Sequence, residues 1–229
     1  LGEYSALVAS GALDFASALR LVNERGRLMG ELGEGEMEAL PLEFQAAKNI
    51  AEQHYCAVAA CNLTDQTVVA GRAADLDNLI EQFGIDFPGK RSARLKTEGA
   101  FHTFYMIETA MQFRSTLANA PLQAPSVSVL SNASGAFHTK DPDAIRAALF
   151  IQLFNPVLWN ANLNHAVESG CQTIIEFGGG IGKGRSPAEK KPNLAGIVKK
   201  TFRRHDHPPQ YSSVINIDTL EKSVALCTT

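Results

Sequence analysis

EMEALPLEFQAAKNIAEQHYCAVAACNLTDQTVVAGRAADLDNLIEQFGIDFPGKRSARLKTE, residues 36–98, is the stretch whose pattern decides the fold. MEALPLEF reads as a strand and AAKNIAEQHY as a helix. AVAACN and TVVAG are short apolar, β-branched runs separated by LTDQ, as two strands joined by a turn would be. AADLDNLIEQFG has a helical period that closes at Gly84, and RSARLKT alternates like a strand. The order strand–helix–strand–strand–helix–strand is that of a small ferredoxin-like unit. We expect it as an insertion, 36–98, in a larger α/β domain formed by residues 1–35 and 99–229.

Upstream, LGEYSALVASG predicts a helix stopped by Gly11. Asp14 caps a second helix, with Ser17 placed to receive the cap. Ala18, Leu21, Val22, Leu28 and Met29 fall on one stripe of its 3.6-residue period. Downstream, residues 103–119 are helical through Met106, Ala110, Phe113 and Leu117, and SVSVLSN reads as a short strand. Asp141 and Pro142 open a helix that Pro156 ends, and Trp159, Leu163 and Val167 mark another, closed by Gly170. TIIEF predicts a buried strand running into GGGIGKG, and a basic stretch, KKTFRRHDH, precedes a last strand and helix.

Composition narrows the function. With 229 residues, 45% of them apolar, the chain can bury a sizeable core. A net charge of −3 gives no general case for nucleic acid. No apolar run approaches the roughly 20 residues of a membrane span. Cys56, Cys61, Cys171 and Cys227 lack metal-site spacing and read as the free thiols of a cytoplasmic protein. GGGIGKG fails as a phosphate loop, because Phe177 stands where the first glycine is needed and Gly184 where Ser or Thr is needed; a tight turn accounts for it. The basic stretch is either a solvated face or a docking patch for an acidic carrier protein.

Some residues break these patterns. Arg25 lies on the apolar stripe of the second helix, where its charge needs an anion or must snorkel. Gln152 continues the stripe of Ile145, Ala148 and Leu149, so its amide must be satisfied, either by a neighbouring backbone group or in orienting something else. His102 follows a strand pattern and precedes a helix, a junction where catalytic groups are often carried, and imidazole suits general base work. Its pentapeptide GAFHT, 99–103, recurs at 135–139; His138, in a polar loop, reads as surface.

Four stretches, in order and with matching spacing over nearly the whole chain, resemble the malonyl-CoA:acyl carrier protein transacylase and polyketide synthase acyltransferase family. LGEYSALVASGALDFASALRLVNERGRLM resembles the segment following the family's GHS nucleophile motif. GAFHTFYM resembles its histidine motif, QLFNPVLW the stretch with its supporting glutamine, and SGCQTIIEFGGG its closing strand, where EVGPG is commoner. The resemblance implies an α/β-hydrolase-like large domain with the ferredoxin-like subdomain inserted. It implies that His102 is the catalytic base and that the backbone carbonyl of Gln152 orients it. Arg25 would hold the malonyl carboxylate, Leu1 would give an oxyanion-hole N–H, Met29 would line the pocket, and Asn62 would support the site at one remove. Phe101, before the histidine, goes with malonyl rather than methylmalonyl groups. The nucleophilic serine is expected immediately before Leu1, with the family's upstream glutamine and first strands before that. The implied partners are a coenzyme A thioester and the phosphopantetheine thiol of an acyl carrier protein; no metal or cofactor is expected, nor a nucleic acid or membrane partner. The departure of FHTFYM from the common FHSPLM form points to a trans-acting polyketide-type enzyme. Competing readings are an acyl-carrier-protein hydrolase of the same fold, which has no use for a carboxylate clamp, and a non-catalytic carrier-protein interaction domain.

Overall fold

A computed structural model describes residues 1–227. It is an α/β structure that packs as two compact units, one from Leu1 to Asn162 and one from Leu163 onward. In the first unit, α1 (Gly2–Ala9) ends where Gly11 turns the chain at φ +72°. Helix α2 (Phe15–Leu32) starts at Asp14, whose carboxylate accepts the Ser17 N–H at 2.9 Å. Its stripe of Ala18, Leu21, Leu28 and Met29 is buried against a core that includes Leu7, Phe113, Leu117 and Leu149. Phe113 and Leu117 come from α5 (Ile107–Ala118) and Leu149 from α6 (Pro142–Ile151). Burying side chains of this size stabilises by about 1.5–3 kcal/mol each.

Between α2 and α5 lies a four-stranded antiparallel sheet. Its strands are β1 (Glu36–Leu40), β2 (Ala57–Leu63), β3 (Gln66–Gly71) and β4 (Ala93–Arg94), in the order β2-β3-β1-β4. Helices α3 (Phe44–Gln53) and α4 (Ala73–Asp86) follow β1 and β3. Strand alternation sends Leu40, Val58 and Val69 towards Ile50, Leu76 and Phe83 of these helices. It sends Met37, Ala59, Val68 and Ala70 to the other face, where they pack with Ala100, Phe101 and Tyr105. The end of β2 is tied to the segment after α6, since Cys61 N–H donates to Val157 O at 2.8 Å and Val157 N–H to Ala59 O at 2.9 Å.

Several local expectations change. The alternation of RSARLKT yields only a two-residue strand: Arg94 turns its guanidinium onto Glu36, Glu38 and Asp77, and the chain leaves the ladder after Leu95 donates to Met37 O. Helix α4 runs through Gly84 to Asp86, because Leu76, Leu79 and Phe83 are buried and a helical glycine costs only about 1 kcal/mol. SVSVLSN forms no strand; it is held by the single bridge Leu130–Phe137 and by Ser126 N–H donating to Ser10 O.

The second unit begins within α7 (Trp159–Glu168). Its β5 (Thr173–Phe177) pairs in parallel with β6 (Gln210–Val214), and α8 (Ala195–Thr201) and α9 (Ile217–Cys227) complete it. In TIIEF, Thr173, Ile174 and Ile175 are half-buried and Phe177 is exposed; only Glu176 is buried, its carboxylate accepting from Asn193 N–H, Leu194 N–H and Tyr211 O–H. The glycine run after β5 turns through Gly180 at φ +68° and Gly182 at φ +117°. No helix of the described residues is long and apolar enough to cross a membrane, and no group of them is arranged to hold a metal ion.

Gly35 has φ +89°, and a Cβ there would stand 2.4 Å from the Gly71 carbonyl oxygen. Gly35→Ala should therefore lower Tm by more than about 4 °C. Gly84 is in a helix interior with nothing within 4 Å of an added Cβ, so Gly84→Ala should raise Tm by roughly 1–3 °C. Thermal melts of both variants check the pair; a neutral Gly35→Ala would contradict the packing described.

Candidate active site

His102 lies in a turn, with β4 well behind it at Arg94 rather than leading straight into it. Its backbone is left-handed, at φ +62°, a conformation that costs a non-glycine residue roughly 1–2 kcal/mol. The turn is pinned on both sides. Ala100 N–H donates to Glu34 O at 2.7 Å, and Thr103 Oγ1 donates to Ala100 O at 2.6 Å. Ala100 and Met106 are fully buried. The imidazole Nδ1 stands 2.8 Å from the main-chain oxygen of Gln152. A carbonyl only accepts, so Nδ1 carries the proton and Nε2 is left with its lone pair.

Gln152 is the C-cap of α6. The last carbonyls of a helix have no partner within it, which is why this one is available to the imidazole. Asp141 caps the other end, accepting from Asp143 N–H at 3.0 Å with Pro142 in the first turn, and the buried Ile145 and Leu149 hold the helix down. The Gln152 side chain is 2% exposed and points elsewhere: its Oε1 accepts from Arg25 Nη2 at 3.3 Å, the long end of the hydrogen-bond range. One residue thus meets both of the other two, through different oxygens.

Arg25 is 5% exposed, so it does not snorkel. Among the described residues no carboxylate lies within ion-pair distance of it and its Nε has no hydrogen-bond partner. Among the described residues its guanidinium has a single hydrogen-bond partner, a neutral amide oxygen. Burial pulls its pKa down, while Tyr4 and Glu3 oppose that shift. The group remains charged, since guanidinium does not deprotonate in proteins, and a buried guanidinium can pair with an anion.

Leu1 is the N-cap of α1, where helix N–H groups lack intrahelical partners. Its nitrogen lies near both Arg25 and His102. Met29 is buried in the main core. Phe101 packs against both that core and the sheet face, and both Gly33 and Gly99 leave room for its ring. Asn62 sits on β2, half-buried, with no hydrogen bond to His102, Gln152 or Arg25. Two features were not legible in the sequence. Tyr4 buries a hydroxyl with no partner, and burial pushes its pKa up to about 12. His138, expected at the surface, is instead buried: its Nε2 stands 2.7 Å from Glu3 Oε1, with side chains 3% and 2% exposed. An acidic residue within the apolar run of LGEYSALVA was the one hint that Glu3 needs an internal partner.

The model of the acyl transferase domain family matches residues 1–178. The chain is 33% identical to the malonyl CoA-acyl carrier protein transacylase of Bacillus subtilis (strain 168) over 213 residues, 89% of this chain and 63% of the relative. It is 33% identical over 188 residues to a polyketide biosynthesis malonyl CoA-acyl carrier protein transacylase of Bacillus velezensis, 79% of this chain and 63% of that protein. The chain therefore spans less than two thirds of these relatives. Among solved structures, the malonyl CoA-acyl carrier protein transacylase of Clostridium perfringens superposes with a TM-score of 0.84 at 28% identity, covering 99% of this chain and 69% of that one.

Burial lowers the His102 pKa to about 4; the Gln152 carbonyl opposes this and the Arg25 charge adds to it. The folded state then binds fewer protons than the unfolded state between about pH 4 and the ordinary 6.5. The stability this group contributes is complete above about pH 6.5 and is lost as pH falls towards 4. From pH 7 to 5 the parent should lose about 2 kcal/mol of unfolding free energy relative to His102→Gln. Urea titrations of both proteins at the two pH values measure this, and parallel losses would contradict it.

Proposed function

The chain belongs to the acyl transferase domain family, and we propose that it moves a malonyl group from coenzyme A to the phosphopantetheine thiol of an acyl carrier protein. The observation that carries this reading is Arg25, a buried guanidinium with only a neutral partner, beside an imidazole held as a base. Malonyl differs from acetyl by a free carboxylate, which a guanidinium can bind with two parallel bonds. A hydrolase that strips simple acyl groups has no use for this clamp.

The chemistry is two-step acyl transfer. A serine directly before Leu1 attacks the thioester carbonyl carbon. Nε2 of His102 takes its hydroxyl proton. The Leu1 N–H helps stabilise the oxyanion. The C–S bond breaks, the coenzyme A thiolate takes the proton from Nε2, and the malonyl group is left on the serine. The carrier protein's thiol then gives its proton to Nε2 and attacks the ester; the serine leaves and recovers the proton. Met29 and Phe101 bound the acyl pocket, and the Phe101 ring leaves little room for an α-methyl branch. Asn62 supports the site at one remove. This cycle calls for no metal or redox cofactor, and the proposed setting is cytoplasmic fatty acid or polyketide synthesis.

The same reading extends to architecture. Residues 36–98 form a ferredoxin-like subdomain inserted in an α/β-hydrolase-like large domain of 1–35 and 99–229. The sheet order β2-β3-β1-β4 with two helices supports the first part.

Removing one partner of a charge-assisted, two-pronged contact costs about 2–4 kcal/mol. In the natural protein Arg25→Ala should cut malonyl transfer roughly 30- to 1,000-fold, with far less effect on acetyl transfer. His102→Ala should nearly abolish both. The two coenzyme A thioesters, assayed separately with a carrier protein, give the comparison. Equal losses on both substrates in Arg25→Ala would make this residue structural only.

A further inference from the structure

We propose that His138 is a positioning residue: it holds the Glu3 carboxylate away from Arg25, so that the guanidinium stays open to an acidic acyl group. The inference rests on the acyl-transfer reading above. Glu3 is a buried carboxylate in the first turn of α1, and its charge reaches Tyr4, Arg25 and His102 alike. A carboxylate so placed is the natural internal partner for a buried guanidinium, because an unpaired buried charge is costly for both. Yet no Glu3–Arg25 ion pair forms among the described residues.

Both Glu3 oxygens are engaged by other groups. Oε1 meets His138 Nε2 at 2.7 Å, and Oε2 accepts from Asn132 N–H at 3.2 Å. The loop that supplies these donors is itself fixed. His138 N–H donates to Val129 O at 2.8 Å, Ser131 N–H to Ala136 O at 2.9 Å, and Asn162 Nδ2 to Asn132 Oδ1 at 3.1 Å. With His138 gone, one oxygen is released and only a single backbone bond opposes a swing towards Arg25. An Arg25 already paired internally binds the substrate carboxylate less well, while a substrate lacking that carboxylate is little affected.

The readout is the ratio of kcat/KM for malonyl-CoA to that for acetyl-CoA, which cancels any change in the folded fraction. His138→Ala should lower the ratio on the order of tenfold, mainly through the malonyl KM. Adding Glu3→Gln, which removes the competing charge, should restore the ratio to within roughly threefold of the parent. His138→Gln keeps a donor for Glu3 and should hold the parental ratio. Should His138→Ala not fold, His138→Asn leaves the carboxylate equally unheld and takes its place. An unchanged ratio in the unheld variant, or no recovery with Glu3→Gln, overturns the proposal. A parent protein with no malonyl transfer at all overturns the acyl-transfer reading instead.

Discussion

The contact between His102 Nδ1 and the Gln152 carbonyl, 2.8 Å long, is the constraint on which the site depends. It decides which nitrogen holds the proton, and so whether the ring can act as a base. It requires α6 to end where it does, since a carbonyl one turn earlier would be engaged within the helix. It also accounts for the unfavourable backbone of His102: a strained residue persists only when its surroundings fix it, and here the turn is pinned at Ala100 and Thr103.

From that contact the rest of the site follows through one side chain. Gln152 sends its amide oxygen to Arg25, so base and anion site are set by the same residue. The bond to Arg25 is long and its acceptor carries no charge, so a carboxylate, as in the function proposed, would be the stronger partner. Phe101, adjacent to the base, packs against both the helical core and the sheet. The position of the imidazole is therefore coupled to the packing of the antiparallel sheet, although no sheet residue enters the chemistry proposed here.

Much of this was legible in the sequence, for particular physical reasons. The α2 period is clean enough that Arg25 stood out as a charge facing inward, and the α6 period exposed Gln152 in the same way. Neither period could show that Gln152 acts through its main chain; that came from resemblance to a family. The two GAFHT copies are locally identical, so only the fold separates them: one places its histidine on a helix end, the other on Glu3, 135 residues away in sequence. A partner that distant leaves no periodic trace, which is why His138 read as a surface residue. The weak strands failed for a related reason. Alternation in RSARLKT is a local property, whereas strand length depends on what lies alongside, and Arg94 is drawn to three carboxylates instead.

The direct test is the tautomer of His102, read from the 15N shifts of histidine-labelled protein at pH 7 and assigned with His102→Gln. A proton on Nδ1 and a bare Nε2, persisting well below pH 6.5, is the result expected if the Gln152 carbonyl holds a half-buried neutral base. A proton on Nε2, or an imidazolium already formed at pH 6, would mean that this carbonyl does not set the ring, and the site would have to be rebuilt around another contact.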